Sequence, residues 1–249
     1  MTALILALVA GAAVGLALGG LGGGGSVLAV PALIYLLGFT PAEATTASLV
    51  IVTLTSITAL VGHARERQVA WRTGLLFAVA GILPAVIAGA AAAHLPQTVL
   101  TVAFAVIASV AALRMLRPSR AGTTGAVHPG KAGAAGAGLG AVTGLLGVGG
   151  GFLAVPALVS VLNLPMRRAV GTSLLVITVN SLAALGARAG TGTHLDWAVV
   201  APFTAAAVLG AWDGKRLSKK LKGDTLQRLF AYVLLAVAVF MLVDTLVRP

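Results

Sequence analysis

Apolar residues run in ten stretches along the chain, at about 3–19, 27–38, 44–62, 71–93 and 97–116, then 132–146, 152–164, 169–187, 196–213 and 225–247. A helix that crosses a bilayer needs roughly 20 apolar residues. The third, fourth and fifth stretches of each series reach or approach that length. The first two of each series are shorter and joined by glycine, which predicts half-spans. Between the two series lies RMLRPSRAGTTGAVHPGK, where Arg114, Arg117, Arg120 and Lys131 stand among Gly and Pro. The pattern predicts an all-α polytopic membrane protein: residues 1–116 and 132–249 form two transmembrane units joined by a linker over 117–131, about 8 spans in total.

The two series are one repeat. Setting Pro31 against Pro156 aligns 19–62 with 144–187 at a constant offset of 125, and 19 of those 44 positions are identical, including LAVPAL at Leu28–Leu33 and Leu153–Leu158. With one residue inserted, Trp71 matches Trp197, Phe77 matches Phe203 and Phe104 matches Phe230. Basic residues follow the third stretch (Arg65, Arg67, Arg72) and the fifth. Others precede the eighth (Arg167, Arg168) and the tenth (Lys215, Arg216, Lys219, Lys220, Lys222). Basic loops stay cytoplasmic. All four clusters share that side only if each pair of short stretches enters and leaves on one face. Five elements per unit is an odd number, so the expected architecture is two inverted repeats, each a broken, re-entrant glycine-linked helix pair followed by three transmembrane helices.

Composition narrows the class. Of 249 residues, 59% are hydrophobic and 9% charged, whereas a soluble domain carries roughly 25% charged residues. The net charge of +11 sits in short runs between apolar stretches, so it marks cytoplasmic loops and not a nucleic-acid surface. With no cysteine, disulfide, thiolate-metal and cysteine-nucleophile chemistry are excluded. The opening MTALILALVAGAAVGLALGG has no basic n-region and reads as a retained membrane segment.

The chemistry concentrates at GGLGGGGSVLAVP (Gly19–Pro31) and GLLGVGGGFLAVP (Gly144–Pro156). Glycine-rich backbone cannot face lipid, because each unpaired N–H or C=O there costs several kcal/mol. It is tolerated lining a wet cavity or buried in protein. A helix starting after such a run aims its N–H groups and positive dipole end into that space, and two such starts can hold an anion. The competing reading is that these glycines let helices cross closely. Gly20, Gly22 and Gly25 also spell G-x-G-x-x-G, but no βαβ context surrounds them, so a dinucleotide site is rejected. Pro31 and Pro156 sit one turn into the second half-helix. The candidate substrate-binding residues are therefore Gly23, Gly24, Gly25 and Ser26 with Gly149, Gly150 and Gly151. Thr46, Ser48, Thr172 and Ser173 join them, as hydroxyls near the start of the next span that either cap it or meet a ligand. Asn180 lies deeper on the same helix as Thr172, and its buried amide needs partners or glues helices.

Ionisable groups are informative by position. The acids are Glu43, Glu66, Asp196, Asp213, Asp224 and Asp244, and none falls mid-span. Cation transporters and proton relays keep a carboxylate inside the membrane, so an anionic or neutral substrate is expected. His63, His94, His128 and His194 fall in or beside loops with no metal spacing. No metal, no cofactor and no catalytic residue are expected. Arg188 reads as an anchor, and Trp71, Trp197 and Trp212 as interfacial residues.

The doubled glycine–VP elements, the ATTASL and VGTSLL openings of the following spans, and the tryptophan-led fourth stretches resemble the sulfite exporter TauE/SafE family of bacterial membrane transporters, over nearly the whole chain. The resemblance implies movement of sulfite or organosulfonates such as sulfoacetate across the inner membrane. The halves depart from symmetry at Ser26 against Gly151 and at Ala47 against Thr172, so each half is expected to meet a different part of the substrate. The expected partners are a small anionic substrate and the bilayer, without nucleic acid; a homodimer stays open. A membrane enzyme would need a nucleophile and base, or metal ligands, at depth, and none is visible. A non-transporting scaffold, or a transporter of another small anion, is the alternative.

Overall fold

Every stretch predicted from the hydrophobic pattern is helical. The computed structural model describes residues 2–92, 96–116, 128–146, 151–188 and 195–247, and among these no strand occurs. The first half holds α1 (Thr2–Leu21), α2 (Gly24–Pro31), which continues as a π-helical turn over Ala32–Leu36, α3 (Pro41–Arg65), α4 (Trp71–Ala92) and α5 (Gln97–Leu116). The second holds α6 (Pro129–Leu146), α7 (Gly151–Ser160), α8 (Met166–Arg188), α9 (Trp197–Lys220) and α10 (Gly223–Val247). Seven of these helices are long and apolar enough to cross a membrane: α1, α3, α4, α5, α8, α9 and α10. Apolar side chains on their outer faces, such as Leu209 at 70% exposure, suit a lipid environment.

One expectation is corrected here. The first stretch is not a half-span but a helix of 20 residues; only the second, broken by Pro31 and its π-helical turn, is short. The helix runs on through Gly19 because Gly11, Gly15 and Gly19 lie directly on the carbonyls of Phe203, Ala207 and Ala211 of α9. The residue numbers rise together, so α1 and α9 are parallel. In the second half, Gly136, Gly140 and Gly144 of α6 lie on the carbonyls of Phe77, Gly81 and Ala85 of α4, again in parallel. Glycine costs a helix about 1 kcal/mol against alanine, and here the close backbone approach offsets it. These glycines are separated by four residues and related by the repeat offset of 125, so the repeat extends back through α1 and α6.

Equivalent helices of the two halves run antiparallel. His63 and Gln68, at the end of α3 and just beyond, abut Gly171 at the start of α8, while Ser56 of α3 bonds Thr178 of α8 at 3.0 Å. Gln227, in the second turn of α10, donates to the carbonyl of Met115 at the end of α5 at 2.6 Å. The repeat also shows in the chain turns. Gly38 (φ 71°) and Asn163 (φ 52°) occupy the left-handed region at equivalent positions. Phe39 N–H donates to the Leu33 carbonyl at 3.1 Å, as Leu164 N–H does to Leu158 at 3.0 Å. Each bond reaches back six residues, one more than the usual 6→1 closure, around a residue at the helix C-terminus that tolerates positive φ. The matched pairs Phe77/Phe203 and Phe104/Phe230 are all fully buried.

Candidate functional site

The glycine elements of the two halves touch. α1 ends at Leu21, Gly22 turns the chain with φ 73°, and Gly23 is the N-cap of α2. A side chain on Gly23 would overlap the Gly151 carbonyl and crowd the Phe152 Cα, so the start of α2 rests on the start of α7. A Cβ on Gly22 would stand 2.5 Å from the Ser173 Oγ. Gly22, Gly23, Gly151 and Ser173 thus form one buried group, while the equally buried Thr172 faces Ala70 and Gly74. Gly24 and Ser26 lie in the first turn of α2. Gly25 faces the other way, onto Leu18 and the Val14 carbonyl of α1. Gly149 and Gly150 lie outside the described residues. The first-turn N–H groups of α2 and α7 have no acceptor within their helices, and both positive dipole ends converge here.

The hydroxyl candidates divide between two ends. Thr172 and Ser173 open α8 beside His63, because α8 runs against α3. Thr46 and Ser48 open α3, and Ser48 stands fifteen residues before His63, or about 22 Å along the helix. Thr46 and Ser48 donate to Ala42 and Thr45 carbonyls at 3.0 and 2.8 Å, and Ser173 donates to Val170 at 2.8 Å. These are bonds within the residue's own helix. Thr172 instead accepts the Ala70 N–H at 3.0 Å, pinning the α3–α4 loop to α8. None of the four is an N-cap. α3 is capped by Thr40, whose hydroxyl takes the Glu43 N–H while the Glu43 carboxylate takes the Thr40 N–H. Asn180 keeps its Oδ1 buried with no hydrogen-bond partner among the described residues.

A polar cluster closes one end of this group. His63 is 3% exposed, with Nδ1 3.0 Å from Gln68 Oε1 and Nε2 3.3 Å from the Gly19 carbonyl. A neutral ring satisfies both contacts only if the Gln68 amide turns its NH2 toward the ring. Glu66 Oε1 receives Lys215 and Lys219, each at 2.6 Å, and Lys215 also donates to the Gly62 carbonyl at 2.6 Å. Burial pushes the Glu66 carboxyl up, but hydrogen bonds and charge from the two lysines outweigh it and hold it below its ordinary value. Arg167 donates to the carbonyls of Lys219 and Leu221 at 3.1 and 2.9 Å. These groups surround a recess of about 10 Å³, room for about one water. The described members of the four basic clusters therefore gather at one end. Among the described residues no trio of His, Asp or Glu is arranged to hold a metal.

Sequence reading missed His63, Glu66 and Gln68. The available signal was a run of polar residues, HARERQ, at the exit of a span. It also missed the Thr40–Glu43 pair, although T-x-x-E before an apolar run is a capping-box signature.

Residues 7–241 match the family described as Sulfite exporter TauE/SafE. The chain is 32% identical to a probable membrane transporter protein of Xylella fastidiosa strain Temecula1, over 96% of this chain and 95% of that one. The corresponding protein of strain 9a5c matches equally. The probable membrane transporter protein YunE of Bacillus subtilis is 26% identical over 87% of this chain and 89% of its own. No solved structure matches.

Proposed function

The chain belongs to the sulfite exporter TauE/SafE family, a family of bacterial membrane transporters, and from that premise we propose that it is a secondary transporter of small sulfur-containing anions, sulfite or organosulfonates such as sulfoacetate. The substrate is held between the glycine-rich starts of α2 and α7, on the side of the midplane nearer the basic end. The observation that carries this reading is the seating of Gly23 on Gly151: two half-helix N-termini from opposite halves meet where neither carries a side chain. In the present conformation the two starts fill the space between them, so binding separates α2 from α7. Ser173, against Gly22, and Asn180 supply further polar atoms.

The halves are read as inverted repeats, supported by the antiparallel packing of α3 with α8 and of α5 with α10. The basic end is placed in the cytoplasm. The atoms nearest a side chain added at Gly22 or Gly23 belong to Val155, Val170, Ser173, Gly151 and Phe152 and none to a lysine or arginine, so the backbone dipoles are taken to carry the attraction. A helix N-terminus acts as about half a positive charge, and its pull grows linearly with ligand charge while the cost of dehydration grows with its square. Singly charged sulfonates and bisulfite are therefore preferred over sulfate.

The test is a binding screen of purified protein against sulfite, thiosulfate, sulfate, sulfoacetate and simple carboxylates, read as thermal stabilisation. Stabilisation by a sulfur monoanion that is absent in Gly23→Val supports the reading. No stabilisation by any anion would favour a scaffold role.

A further inference from the structure

Apart from the glycine site, a groove of about 480 Å³ lies between α3 and α9 at the basic end. Its wall is apolar and open to lipid: Ile57 and Val61 from α3, Trp212 from α9, all exposed. Its rim is cationic, with Arg65, Arg216 and Lys219 exposed at its mouth. Nearby acids do not balance this charge. Asp213 reaches Arg216 only at 3.6 Å on an open helix face, and Glu66 is shared between Lys215 and Lys219. Among the described residues no carboxylate pairs with Arg65.

The repeat supplies an internal comparison. At the offsets that relate the halves, Ile57 corresponds to Leu182, so part of the apolar wall recurs. Lys215, Arg216 and Lys219 correspond to Gly89, Ala90 and Ala93, and Arg65, within the segment that takes the one-residue insertion, to Gly190 or Thr191. The cations of this groove thus have no basic counterpart at the repeat-related positions.

We propose that the α3–α9 groove is a binding site for an anionic phospholipid of the leaflet at the basic end. One acyl chain lies along Ile57 and Val61, and the phosphodiester sits between Arg65, Arg216 and Lys219. Basic pockets between transmembrane helices suit such headgroups, and guanidinium groups bond two phosphate oxygens at once. Trp212, with the Arg216 guanidinium 6.0 Å from its ring centroid, marks the headgroup level.

The test uses the full chain in phosphatidylcholine nanodiscs doped with phosphatidylglycerol, followed by native mass spectrometry of lipids retained on release. Wild type retains phosphatidylglycerol in preference to phosphatidylcholine. The variant Arg65→Gln/Arg216→Gln/Lys219→Gln lowers that retention about tenfold or more, while Arg168→Gln/Lys222→Gln/Arg228→Gln, which removes as much charge elsewhere, leaves it intact. Should the first variant fail to fold, Val61→Trp, which fills the groove and keeps its cations, must also lower retention. Equal retention of the two lipids, equal loss in both triple variants, or displacement of the lipid by millimolar glycerol phosphate would each overturn the proposal.

Discussion

Gly23 at the start of α2 rests on the carbonyl of Gly151 at the start of α7, so that a single added methyl at Gly23 would overlap it. The two residues lie 128 positions apart in sequence and belong to different halves. Their contact makes the glycine runs a joint between the halves as well as a candidate ligand cradle.

Other glycines also join the halves, but within helices and away from the starts of α2 and α7. Gly15→Val and Gly140→Val force a side chain into the backbone of α9 and α4, respectively. Each should destabilise the fold by roughly 1–3 kcal/mol, as overpacking does. Gly138→Ala in α6 meets nothing within 4 Å and should stabilise it by up to about 1 kcal/mol. Melting in detergent, followed by circular dichroism, reads both effects.

Gly22 and Gly38 share a positive φ but not a surrounding. Gly38 faces open space, and its partner in the repeat is already Asn163. Gly38→Asn should leave stability within about 0.5 kcal/mol of wild type. Gly22→Asn places a Cβ against Ser173 and should lose both folded yield and transport. Comparable melting temperatures for the two variants would contradict this account.

Glu66 predicts a pH dependence. Its carboxyl titrates lower when folded than the ordinary value of 4.5, so the folded state favours the ionised form. The stability it contributes is fully present above pH 4.5 and is lost as pH falls through the lower, folded value. The difference in melting temperature between wild type and Glu66→Gln should be constant from pH 7 to 5.5 and shrink below 4.5. A difference that grows with acid would contradict the Lys215–Glu66–Lys219 arrangement.

Asn180 separates binding from stability. Its Oδ1 has no protein partner to lose among the described residues. Asn180→Ala should therefore cost less than the 1–3 kcal/mol typical of stripping a partner from a buried polar group, while weakening anion binding. Thermal melting with and without sulfite measures both. Normal binding by a destabilised variant would make Asn180 a structural residue.

The helices were legible in the sequence because lipid demands long apolar segments, and the repeat because LAVPAL, the glycines and the matched aromatics recur at a fixed spacing. The full length of α1 was hidden by Gly19 and Gly20, which resemble a helix break until α9 is placed against them. The sequence carried a cue, since Gly11, Gly15 and Gly19 fall every fourth residue, on one helix face. Thr46 and Ser48 looked equivalent to Thr172 and Ser173, yet antiparallel packing sends the pairs to opposite ends. His63 was unreadable as a buried group, because what buries it is Gly19, Gln68 and Lys215, brought together only by the fold.

The most direct measurement of the central claim is sulfite flux in proteoliposomes reconstituted with wild type, Gly23→Val, and Gly138→Val as a control at an open helix position. The account predicts saturable flux in wild type and in Gly138→Val, and flux reduced to the level of empty liposomes in Gly23→Val protein that still melts cooperatively. Undiminished flux in folded Gly23→Val would show that the anion passes without the Gly23–Gly151 joint, and would contradict it.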